Sequence, residues 1–88
     1  MFNENKMLEQ ASVIINSFKI YYGVNVKDVK TENGIYVVYI EIPKCRGNSN
    51  GEESANIAKS LKEKLNDLLA SYGVNTNEYY FKVRYKTI

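Results

Sequence analysis

The residues best placed to do chemistry lie near the C-terminus, where Lys82, Arg84 and Lys86 recur at every second position behind Tyr80. In an extended strand, that spacing puts all four side chains on one face. A row of cations beside a ring can neutralise phosphates and stack on bases, or it can anchor a protein partner. A second basic group, Lys44-Cys45-Arg46-Gly47, opens a stretch over 44–51 that carries two glycines ahead of an expected helix. Backbone amides of such a loop can hold an anion at a helix N-terminus, which makes Lys44, Arg46 and Gly47 candidates for anion binding. Glu52 and Glu53 oppose this, because they bring negative charge to the place the anion would occupy. The glycine spacing also differs from the Gly-x-x-Gly clamp that grips RNA backbones. A connecting loop is the favoured reading. Two flanking cations favour the thiolate of Cys45, but a single loop cysteine is more often incidental than redox-active.

Other chemistries lack their residues. The chain has no histidine, which removes the commonest general base and metal ligand. One cysteine cannot build a structural zinc site, and the carboxylates are scattered without a calcium or magnesium pattern. No phosphate-loop or dinucleotide glycine motif is present, and Ser49, Ser54 and Ser60 have no base nearby in sequence. The expectation is a protein without catalytic residues, cofactor or metal.

Eighty-eight residues make one domain, 1–88, with a single core. Such a chain buries roughly 60–65% of its unfolded surface, so its stability margin is small. A composition of 44% hydrophobic and 25% charged residues is that of a globular domain. The net charge of +2 is too weak to announce nucleic acid, but the last ten residues hold three cations and no acid. A lone cysteine, the absence of a signal-like start and the absence of a long apolar run point to a cytoplasmic setting. Eleven asparagines, ten lysines against two arginines, and eight tyrosines suggest AT-rich codons, as in a low-GC bacterium or one of its phages or mobile elements.

The elements that position these residues follow from periodicity. Over 3–22, Met7, Leu8, Ala11, Ile14, Ile15, Phe18, Tyr21 and Tyr22 recur at helical spacing, with Asn3 or Asn5 as cap and Gly23 as terminator. Val13 and Ile20 fall off that stripe and either widen it or face a partner. Residues 24–32 read as a charged edge strand, and Asn33-Gly34 as a two-residue hairpin turn. Ile35–Ile42 is a strand with two apolar faces, stopped by Pro43. A second helix runs from Glu52 or Ser54 to Tyr72, its stripe formed by Ile57, Ala58, Leu61, Leu65, Leu68, Leu69 and Tyr72. Lys59, Lys62, Glu63, Asn66 and Asp67 form its solvated face. Residues 77–87 make the last strand, with Tyr79, Phe81, Val83 and Tyr85 turned inward. Tyr-Gly-Val-Asn ends both helices, at 22–25 and 72–75, and is read as one junction solution used twice rather than as a duplication.

The fold class expected is therefore α+β: a two-layer sandwich in the order α-β-β-α-β. A three-stranded mixed sheet in the order 1-2-3 carries both helices on one face. This order resembles the ring-building domains of secretion and sporulation assemblies, the cytoplasmic dimerisation domain of cation-efflux transporters and KH-like RNA binders. The resemblance is one of topology alone. The efflux domain's metal histidines and the KH clamp are missing here, and fold analogy does not assign function. What those modules imply is a sheet face or edge that joins subunits or partners.

On this reading, Ile35, Val37, Tyr39, Tyr80, Lys82, Arg84 and Lys86 share the sheet face turned away from the helices, with Lys27 beside them. They are the candidate partner-binding residues. The function expected is a small non-enzymatic interaction protein, a phage or mobile-element regulator or inhibitor by size and composition. It would self-associate, most simply as a homodimer, or dock a protein partner. The alternative is an RNA or single-stranded DNA binder using the same face.

Overall fold

A computed structural model describes residues 2–43, 52–74 and 77–88. The chain runs α1 (Glu4–Tyr22), β1 (Asn25–Glu32), β2 (Ile35–Ile42), α2 (Glu52–Ser71) and β3 (Tyr80–Thr87). The sheet order is β1-β2-β3, with β1 antiparallel and β3 parallel to β2. This is the small α+β fold expected from the sequence.

Local chemistry sets the boundaries. Asn3, not Asn5, caps α1: its side-chain oxygen accepts from the Lys6 amide at 3.1 Å. Gly23 ends α1 in the left-handed conformation, φ 69°, and its amide returns to the Lys19 carbonyl. Asn33 and Gly34 both take positive φ, 53° and 82°, as a tight hairpin turn with the twist of a sheet requires. The last strand starts three residues later than its composition suggests. Asn77 and Glu78 form a turn instead, and the ladder opens where the Tyr80 amide bonds the Gly34 carbonyl at 3.2 Å.

The core lies between the sheet and the helices. Tyr36, Val38, Ile40 and Ile42 of β2 are buried with Met7, Ala11 and Phe18 of α1, Ile57, Leu61, Leu65 and Leu69 of α2, and Phe81 of β3. Period-2 burial along β2 is strict: even-numbered residues are buried and odd-numbered ones half-buried. Burying large aliphatic and aromatic side chains contributes about 1.5–3 kcal/mol each, so this cluster dominates stability. Two hydroxyls fasten elements together, one between sheet and helix and one between α1 and the end of α2. Tyr36 donates to Glu4 at 2.5 Å, and Tyr72 donates to Gln10 at 2.8 Å.

The junction reading fits both helix ends. Gly23 and Gly73 share left-handed φ values of 69° and 71°, Val24 is fully buried, and Val74 packs on the core. Two assignments are corrected. The spacing places Tyr21 and Tyr22 in the apolar stripe of α1, in the core or at its rim; Tyr22 sits at the rim against Phe18, but Tyr21 is 81% exposed. In the last turns of α1 Phe18 is the buried residue, and the two tyrosine rings pack together beyond it rather than in the core. Val13 and Ile20 do not widen the stripe either, being 70% and 77% exposed. Asn66, assigned to the solvated face of α2, is half-buried and bonded to β3. No helix among the described residues is long and apolar enough to cross a membrane.

Candidate functional site: the open sheet face

Strand register decides which side chains meet. On the face away from the helices, Ile35 lies beside Tyr80, Val37 beside Lys82, Tyr39 beside Arg84 and Glu41 beside Lys86. From the other side, Glu32 lies beside Ile35, Lys30 beside Val37 and Asp28 beside Tyr39. All seven candidate residues thus share one face, as their parity requires. Lys27 joins them by a different route. It is the extra residue of a β-bulge between Val26 and Asp28, and its ammonium reaches Glu41 at 3.7 Å.

The strip Ile35, Val37 and Tyr39 runs down the centre of this face. Each residue is half-buried by its neighbours' side chains, and no described element packs over it. Two lysines fold onto rings rather than standing upright: Lys30 lies 5.7 Å from the centre of Tyr39, and Lys82 lies 5.8 Å from that of Tyr80. Ion pairs on this face join Lys27 to Glu41 and, at 3.9 Å, Lys30 to Asp28. Among the described residues, Lys82, Arg84 and Lys86 have no carboxylate within ion-pair distance.

The face is shallow. Two open depressions of about 240 and 280 Å³ flank Tyr39, one toward Lys27, Glu41 and Lys86 and the other toward Glu32, Val37 and Lys82. Both fall below the size of sites that enclose small organic ligands, roughly 300–1,000 Å³. The geometry suits a flat contact with another macromolecule.

Tyr85, turned inward by its parity, is 43% exposed on a strand at the edge of the sheet. The Asn66 contact escapes sequence reasoning altogether. Its side chain accepts from the Phe81 amide at 2.7 Å and donates to the Phe81 carbonyl at 3.1 Å, covering the outer edge of β3 at its start. A polar residue amid a helical polar face gives no signal of that role. The anion-binding candidates Lys44, Arg46 and Gly47, and Cys45 with them, lie outside the described residues.

No family model matches this chain, and neither a curated protein nor a solved structure is similar enough to match it.

Proposed function

We propose that this chain is a non-enzymatic interaction module that docks a protein on its open sheet face, with a second copy as the first partner. The observation that supports it is the apolar strip Ile35, Val37 and Tyr39, which nothing among the described residues covers. A solvated sheet face alternates apolar-in with polar-out, and this one does not. A homodimer with its two-fold axis along β2 lays β3 of one copy over β1 of the other. Arg84 then faces the partner copy's Asp28, because both residues are level with Tyr39. An axis across the strands would set cation row against cation row. Tyr39 and Arg84 are of the types that anchor interfaces.

Magnitude limits the affinity. Three strands of eight residues present a face of roughly 26 by 14 Å, about 370 Å² in projection. Standard interfaces bury about 800 Å² per partner. The contact belongs to the weak, transient class unless the partner also reaches an edge. Sedimentation equilibrium at high protein concentration tests this reading. Reversible dimerisation abolished by Val37→Glu is expected, and a wild-type chain that stays monomeric at millimolar concentration defeats self-association. Reduced dimerisation in Arg84→Asp, restored by adding Asp28→Arg, would fix the axis.

A second reading rests on the row Lys82, Arg84 and Lys86, free of carboxylate partners among the described residues, beside Tyr39 and Tyr80, which suits a single nucleic-acid strand. It predicts binding to mixed oligonucleotides that weakens steeply with salt and with Lys82→Ala. Absence of binding at low salt disposes of it. In either case the protein works in the cytoplasm, in keeping with its one cysteine. A regulator or inhibitor from a phage or mobile element is the setting that its size and composition fit.

A further inference from the structure

We infer that the outer edge of β3, from Val83 to Thr87, accepts an added β-strand from an extended acidic peptide of a partner protein. The inference rests on the protein-docking reading above and names a second surface and a partner chemistry.

The backbone fixes which groups are available. In a parallel pair, each residue turns its N–H and C=O to the same side. The amides of Tyr80 and Ile88 bond Gly34 and Ile42 across β2, so even-numbered residues of β3 face inward. Phe81, Val83, Tyr85 and Thr87 face outward. Asn66 confirms this parity by satisfying both groups of Phe81. Beyond that clamp, no strand follows β3 in the sheet, and no described residue bonds the outward groups of Val83, Tyr85 or Thr87.

The two sheet edges differ. β1 is defended in the ways an exposed edge usually is: a bulge at Lys27 and charges of both signs at Lys27, Asp28, Lys30 and Glu32. β3 keeps unbroken register with β2 from Tyr80 to Thr87 and carries charge of one sign. An added strand would lie about 4.8 Å further out, its side chains level with those of β3 at the same two-residue period. Acidic residues at alternate positions then meet Lys82, Arg84 and Lys86 one to one. The residues between them rest against Val83 and the half-exposed Tyr85 on the helix side.

Other occupants fit less well. Pairing β3 with β3 of a second copy sets like charges side by side. The phosphates of a nucleic-acid strand can accept from the outward N–H groups but repel the carbonyls between them, and Asp28, Glu32 and Glu41 share the face.

The test uses a fluorescein-labelled ten-residue peptide alternating Glu and Val, a peptide of the same composition with all Glu residues in one block, and a ten-nucleotide oligo-dT. Anisotropy is expected to show binding of the alternating peptide at least tenfold tighter than the other two. Binding should fall at least tenfold in Tyr85→Pro, which removes an outward N–H while keeping every bond to β2, and equally in Arg84→Glu. Amide exchange at Val83, Tyr85 and Thr87 should slow in the complex. Equal binding of the block peptide, unchanged exchange at those amides, preference for oligo-dT, or no binding overturns the inference. The dimerisation of the Val37→Glu and wild-type chains reads the face separately, so either surface can fail alone.

Discussion

Gly34 is the residue with the least freedom. Its φ is 82°, and a Cβ added there would collide with the Glu78 carbonyl oxygen, a backbone atom that cannot swing away. Left-handed φ costs a non-glycine residue about 1–2 kcal/mol before that clash is counted. Gly34→Ala is therefore expected to lower the melting temperature by roughly 8 °C or more, and a shift under 3 °C in a thermal scan would contradict the close approach. Tyr36 carries a pH signature. Burial first, then the hydrogen bond to Glu4, then the charges of Glu4 and Tyr79 push its phenol pKa well above the ordinary value. A folded-state pKa above the unfolded one contributes stability that is complete below about pH 10 and is lost as pH rises past it. Tyr36→Phe should cost about 1 kcal/mol near neutral pH. Its disadvantage should shrink above about pH 10, where only the wild type must keep a buried phenol protonated. Parallel urea titrations at pH 7 and pH 10.5 check this, and a constant difference would refute it.

At the level of elements, β2 is organised by its two faces and β3 by its two edges. One face of β2 belongs to the helices and the other to the open surface. The inner edge of β3 belongs to β2, and among the described residues its outer edge is held by α2 only at Phe81. Asn66 is the fastening between α2 and β3. Asn66→Ala should cost about 1–2 kcal/mol, since two hydrogen bonds are lost but water can reach the edge. Asn66→Asp should cost more, because it sets a carboxylate oxygen against the Phe81 carbonyl. The order of urea midpoints, wild type above Asn66→Ala above Asn66→Asp, is the measurement. The exposed apolar residues Val13 and Ile20 lie on the outer face of α1, and Tyr21 joins them in its last turn.

At the scale of the whole molecule, one contiguous core joins α1, β2, α2 and β3. Among the described residues, the large buried hydrophobic side chains all belong to this one cluster. Far-ultraviolet circular dichroism and tyrosine fluorescence should therefore report one coincident urea transition, and separated midpoints would reveal independent units. Much of this architecture was legible in the chain. Strand parity sorted Ile35–Ile42 into two sets, but both are apolar, so only packing against the helices decided that Tyr36, Val38, Ile40 and Ile42 go inside. Glycine and asparagine marked the hairpin and the end of α1, because few residues tolerate positive φ. The Lys82, Arg84 and Lys86 row likewise declared its face. Register and distance are another matter, since they arise between segments far apart in the chain. Only the tertiary structure set Arg84 level with Tyr39 and Asp28, turned Asn66 from a surface residue into a clamp, and left Tyr21 and Ile20 in solvent. Periodicity reports which face of an element is apolar, and packing alone decides how far along that face another element reaches.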